Sequence, residues 1–122
     1  MPNQSIVGSI SRNVIQTLHL LCEINSPIYL GKSNLEHMQK RHPEDFQRYG
    51  DKISLILASP DYVAVNAKDG SIEYVKEFCI NNEFVKVAVR ISNSGKYYAR
   101  SLYVLNSSRV QNFIRKGTLK KI

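Results

Sequence analysis

Two histidines, His37 and His42, stand in the segment Asn34-Leu-Glu-His37-Met-Gln-Lys-Arg41-His42-Pro43. Imidazole is the side chain best suited to take and return protons near neutral pH. On a helix Arg41, four residues from His37, shares its face, whereas His42 falls with Leu35 and Met38 on the apolar side unless Pro43 turns it away. Further along lie Lys76, then Lys86 and Arg90, then Ser101 and Tyr103. Cations, a hydroxyl and a phenol gathered in one patch would hold a phosphate by charge-assisted hydrogen bonds and stack a base on the ring. Each residue also has an ordinary explanation: a capping His42, a solvated His37, a partly buried His19, and the tyrosines and serines common on exposed sheet faces. No nucleotide-binding loop, nucleophile elbow or metal-ligand cluster is present, so neither cofactor nor metal is expected. Cys22 and Cys79 lack CxxC spacing and are expected to be reduced and buried.

These residues need elements to position them. Apolar residues at 14, 15, 18, 21 and 22 predict a helix over Asn13–Cys22, and Pro27–Leu30 reads as a strand. Ser33-Asn34-Leu35-Glu36 has the form of a capping box, so a helix should start at Ser33 and stop before Pro43. A second helical pattern runs from Glu44 to Leu57, with Gly50 bending or splitting it.

After Ser59-Pro60-Asp61 the period changes to two. Strands are predicted at Tyr62–Val65, Ile72–Cys79, Phe84–Ile91 and Tyr97–Leu105, joined by turns at Lys68–Ser71, Asn81-Asn82 and Asn93–Lys96. The third carries Lys86, Ala88 and Arg90 on its polar face. The fourth offers two sets, Tyr97-Ala99-Ser101-Tyr103 and Tyr98-Arg100-Leu102-Val104, and either could share the face of Arg90. Ser107 should cap a last helix, Ser108–Lys116, closed by Gly117. The expected fold is α+β, with N-terminal helices on a four-stranded, or slightly larger, curved antiparallel meander and a short C-terminal helix, in one domain over residues 1–122.

Charge divides the same chain. All ten carboxylates lie at or before Glu83; residues 84–122 carry nine Lys and Arg and no acid, while residues 1–83 have eight cations against ten acids. A one-signed field concentrates ligands of opposite charge, and nucleic acid is the commonest polyanion in a cell. No apolar run reaches the roughly 20 residues of a membrane span. Met-Pro-Asn-Gln does not open as a signal peptide does, so a cytoplasmic protein with no membrane partner is expected. Oligomeric state is left open.

Taken together, Ile-Val-Gly-Ser-Ile near the start, Pro-Ile-Tyr-Leu, the His37 to Pro43 segment, Ile56-Leu-Ala-Ser-Pro60-Asp61-Tyr-Val, Lys76 and Ser101-Leu-Tyr103 resemble the phage-associated nuclease domains of the barnase, EndoU, colicin and RelE-like superfamily. The resemblance spans nearly the whole chain. It implies a metal-independent endoribonuclease used as a toxin or effector by phages and mobile elements, with RNA as substrate and an acidic inhibitor or immunity protein as a second partner. Carried over by position, the catalytic residues would be His37, His42, Lys76, Arg90, Ser101 and Tyr103, with Ser101 standing where threonine is more usual. RNA supplies its own nucleophile in the 2′-hydroxyl, so a histidine acid or base and fixed cations suffice. Arg41, by its helical spacing, and Lys86, Arg100, Arg109 and Lys116 would bind the RNA. Two other readings fit the charge pattern: a nucleic-acid-binding module without catalysis, and a phage structural or adaptor protein that binds an acidic partner.

Overall fold

The computed structural model describes residues 4–122. Its elements run β1 (Gln4–Ile10), α1 (Arg12–Leu18), β2 (Ser26–Gly31), α2 (Lys32–Arg41), α3 (Pro43–Tyr49), α4 (Ile53–Ala58), β3 (Tyr62–Val65), β4 (Ile72–Phe78), β5 (Glu83–Ile91), β6 (Tyr97–Leu105), α5 (Ser107–Lys116) and β7 (Lys120–Lys121). The fold is α+β, but its sheet has seven strands in the order β1-β2-β6-β5-β4-β3-β7 rather than four. The expected meander β3-β4-β5-β6 is its centre. The additions are β1, whose apolar residues alternate too weakly to announce a strand, the expected strand β2, and the two-residue β7. Helices are interspersed among strands, so the order of helices first and sheet second is corrected. No described helix is long and apolar enough to cross a membrane.

Local chemistry explains where the boundaries moved. Helix α1 stops at Leu18 because His19 takes a left-handed conformation, φ 55°, so Cys22 lies in a loop. Helix α2 is capped by Gly31, whose N–H donates to Asn34 Oδ1 at 2.9 Å, in place of the expected Ser33 and Glu36 pair. The Glu44–Leu57 pattern is two helices joined by a 3-10 turn at Gly50–Lys52. A Cβ at Gly50 would lie 3.0 Å from the Phe46 ring, which is why glycine marks that break. Asn106, not Ser107, caps α5 by accepting from the Arg109 N–H at 3.2 Å, and Gly117 ends it at φ 79°. Cys22 is half-buried and Cys79 exposed; both are free thiols, so the expectation of burial is corrected.

The sheet has two different faces. Val85, Val87 and Val89 of β5 pair with Val104, Leu102 and Ala99 of β6 and with Lys76, Tyr74 and Ile72 of β4. Most of that face is apolar and packs with Ile10, Val14, Ile53, Ile56 and Leu57 as the main core. On the other face Val75, Phe84, Ala64, Val110 and Leu119 form a smaller core under α5.

Strict alternation fails once in β6. Ala88 pairs with Ser101 but Val89 pairs with Ala99, which leaves Arg100 as the extra residue of a bulge. Tyr98, Ser101 and Tyr103 therefore share the face of Lys86 and Arg90, a mixture of the two sets that simple alternation allows. Strand β2 pairs with β6, in parallel, only at Tyr97 and Tyr98. Past that point α2 and α3 lie along the outer edge of β6, and Asp45 Oδ2 accepts the Val104 N–H at 3.0 Å.

Candidate active site

Tyr103 is the centre of the one cluster that joins an imidazole, a cation and a carboxylate among the described residues. Its ring is stacked by His42, with centroids 4.8 Å apart and planes inclined by 25°. The Lys86 ammonium lies 4.7 Å from the same ring centroid. His42 comes from the α2–α3 side of β6 and Lys86 from β5, its direct cross-strand neighbour, so they approach Tyr103 from opposite flanks.

Pro43 explains how His42 gets there. It occupies the first turn of α3 and holds His42 out of helical geometry, at φ −140° and ψ 67°. His42 still joins both helices: its N–H donates to the Met38 carbonyl and its carbonyl accepts from the Phe46 N–H. The corner thus fixes the backbone and turns the ring toward the sheet.

Lys86 continues the cluster across the sheet. Its Nζ donates to Glu73 Oε2 at 2.9 Å, and Asn66 Nδ2 donates to the same oxygen at 3.3 Å. No hydrogen bond among the described residues reaches Glu73 Oε1. Burial alone would lower the Lys86 ammonium, but the Tyr103 hydroxyl and the Glu73 carboxylate outweigh it and hold the group above the ordinary lysine value. A cleft of about 710 Å³ opens beside the cluster, lined by Asn66, Glu73, Lys86, Tyr103, Arg109 and Phe113 among others. Another depression, of about 520 Å³, lies at the start of α2 between Gln4, Ser33, Glu36 and Tyr98 and holds none of these groups. Among the described residues no group of three or more His, Cys, Asp or Glu could hold a metal.

The remaining residues singled out in the sequence are spread more widely. Ser101 is half-buried on the cleft face, opposite Ala88. Arg90 shares that face but lies four residues beyond Lys86, about 13 Å along the strand. Its charge acts on Asp69, whose carboxyl is held below the ordinary value first by the Ser71 N–H, then by the Ser71 hydroxyl, with Arg90 adding to both. Lys76 is on the opposite face, opposite Val85, and its Nζ donates to the Ser59 carbonyl at 2.7 Å. His37 and Arg41 are exposed on α2, with no hydrogen bond or ion pair among the described residues. Arg100 is exposed at the bulge, Arg109 lines the cleft, and Lys116 is exposed at the end of α5.

Sequence reasoning missed Glu73 and Asn66. The signal was parity: in Ile72–Phe78 the odd positions Glu73, Val75 and Glu77 face away from Tyr74 and therefore toward Lys86. A second cluster outside the cleft ties α3 to β5, where Arg48 and the Tyr49 hydroxyl both bond Glu83 and Asn81 Nδ2 donates to Tyr49.

A family model described as phage-Barnase-EndoU-ColicinE5/D-RelE like nuclease 3 matches residues 5–112. No curated protein and no solved structure gives a match.

Proposed function

Because the chain belongs to the phage-Barnase-EndoU-ColicinE5/D-RelE like nuclease 3 family, we propose that it is an endoribonuclease whose chemistry centres on Tyr103. The observation that carries this reading is the convergence of His42 and Lys86 on that ring, with Glu73 behind Lys86. Family alone would leave the reaction open, since a fold hosts many activities.

In this reading the scissile phosphate sits over Lys86 and the Tyr103 hydroxyl. Lys86, kept charged by Glu73, offsets the negative charge that grows on the phosphorane. His42 and the free oxygen of Glu73 flank that position, so the ionised Glu73 can take the 2′-hydroxyl proton while His42 returns a proton to the leaving 5′-oxygen. The bond formed joins the 2′-oxygen to phosphorus and the bond broken is P–O5′, leaving a 2′,3′-cyclic phosphate. The 2′-hydroxyl is the nucleophile, so no metal is called for. Arg109 and Ser101 on the cleft face, with Arg90 and Arg100 further along, would hold the RNA backbone. His37, Arg41, Lys76 and Lys116 lie away from the cleft lining and contribute, if at all, through charge. The same reading makes the protein a phage toxin or effector that acts on RNA in the cytoplasm, with an acidic inhibitor as its natural protein partner.

The test is direct. The protein is incubated with total RNA in excess chelator, and the fragment ends are analysed. Fragments ending in a 2′,3′-cyclic phosphate, lost in His42→Ala, support the reading. Salt-dependent binding without fragments would make the chain a nucleic-acid-binding module instead.

A further inference from the structure

The Tyr103 ring is already stacked by His42 and has the Lys86 ammonium over it, which leaves little room for a base there. A nucleotide whose phosphate sits at Lys86 must place a neighbouring base elsewhere in the cleft. The other aromatic side chain in the cleft lining is Phe113, one turn along α5 from Arg109. The Arg109 guanidinium carbon lies 5.9 Å from the Phe113 ring centroid. The two side chains thus face one another in a cation–π contact. A base held between two flat groups requires roughly 7 Å, twice the rise of stacked bases, so one of the two must move to admit it.

The two side chains differ in a useful way. Phe113 is half-buried against the smaller core, whereas Arg109 is exposed and free to lift from the ring. The path between the two positions is short. Leu105 lies on the same face as Tyr103, two residues or about 7 Å further along β6, and leads through Asn106 into the first turn of α5. We infer that Arg109 and Phe113 form a clamp that stacks an unpaired base of the RNA next to the nucleotide held at Lys86 and Tyr103. Asn106 Oδ1 accepts the Arg109 backbone N–H as the helix cap, so that oxygen is already engaged. The clamp therefore grips the π-face that every base has and does not read base identity. The identity of the ligand rests on the endoribonuclease reading; the clamp itself rests on Phe113, which that reading does not use, and on Arg109, to which it gives only a backbone contact.

The probe is a single-stranded 2′-deoxy pentanucleotide carrying 2-aminopurine, which lacks the nucleophile and so is bound without being cut. Stacking quenches its fluorescence. The expected result is quenching on binding, with Phe113→Leu weakening binding roughly tenfold and removing the quench. Arg109→Lys, a surface change that keeps the charge, should reduce the quench while leaving the salt dependence of binding unchanged. An oligonucleotide bound as tightly and quenched as strongly by both variants as by the parent overturns the clamp. RNA cleavage that depends on His42 but keeps its KM in both variants overturns the clamp and leaves the nuclease standing. A parent protein that neither binds nor cuts overturns both.

Discussion

The Asp45 carboxylate accepts the Val104 amide hydrogen at 3.0 Å, on a strand edge that no strand among the described residues covers. Asp45 is three residues from His42, and Val104 follows Tyr103, so one hydrogen bond fixes the distance between the corner carrying the imidazole and the strand carrying the phenol. Asp45→Ala should lower stability by about 1–3 kcal/mol, because a half-buried N–H loses a charged acceptor. Asp45→Asn should restore most of it. Urea denaturation of the three proteins checks this, and the Tyr103 ring resonances should shift in the alanine variant.

His42 and Tyr103 can be separated by two substitutions. Under the endoribonuclease reading, His42→Ala should reduce RNA cleavage by roughly 10²–10⁴-fold, the usual contribution of a proton-transfer group, with an unchanged circular dichroism spectrum. Tyr103→Phe keeps the ring between His42 and Lys86 and removes only the hydroxyl, so its defect should be smaller. Single-turnover cleavage rates give the comparison; a Tyr103→Phe defect equal to that of His42→Ala would show that the hydroxyl, and not the stack, is what matters.

Lys86 and Glu73 are both mostly covered, with side chains 13% and 15% exposed. Lys86→Met should cost about 1–2 kcal/mol by leaving the carboxylate without its cation, discounted from a fully buried pair because solvent still reaches it. Adding Glu73→Gln to that variant should recover part of the loss. A double-mutant cycle by thermal or urea unfolding measures the coupling.

Glu83 should make stability fall in acid. Its carboxyl is held below the ordinary value first by the Arg48 guanidinium and then by the Tyr49 hydroxyl. A carboxyl lowered by folding stabilises the native state above the unfolded value, about 4.3, and loses that contribution as pH falls through the folded value. Between pH 6 and pH 3 the melting temperature of Glu83→Gln should therefore decline less than that of the parent. Equal slopes would assign the acid sensitivity elsewhere.

Tyr74 is completely buried, and its hydroxyl has no hydrogen-bond partner among the described residues. Burial raises its phenol above the ordinary tyrosine value, with Cys22 and Tyr97 adding to the effect. Tyr74→Phe removes an unsatisfied group at almost constant volume, so it should raise stability by about 1 kcal/mol. Differential scanning calorimetry would reveal a higher transition temperature, whereas a lower one would mean the hydroxyl has a partner in solution.

Periodicity made the centre of the fold legible. Strands β3 to β6 and α5 follow from alternation and turn chemistry close to their observed bounds, because each is a strongly patterned segment ended by Gly, Asn or Pro. What escaped was non-local. β1 is a strand because β2 offers it a partner, and β2 reaches the centre only by a parallel contact with β6, roughly 70 residues away. The site shows the same division. His42 and Tyr103 could be singled out by residue type, and Pro43 hinted that His42 leaves the helix. Lys76 enters the group by its charge and by the family resemblance, although its parity with Tyr74 sends it to the other face. Glu73 has an unremarkable context until β4 is set beside β5 and Lys86 meets it. The Arg100 bulge, which decides which tyrosines share a face, leaves no mark in a single sequence.

The place of β6 between β2 and β5 bears on how such a protein comes into being on the ribosome. The strand that carries Tyr103 also joins β1 and β2 to the rest of the sheet, and it is the last of the long strands to be synthesised. A nascent chain that has emerged only as far as β5 has made His42, Glu73 and Lys86 but has nothing to bring the first of them to the other two. Pairings of this sequence separation form slowly compared with local hairpins. The machinery that translates the chain is itself built of RNA, so under the endoribonuclease reading it is not exposed to an assembled site until translation has passed Tyr103.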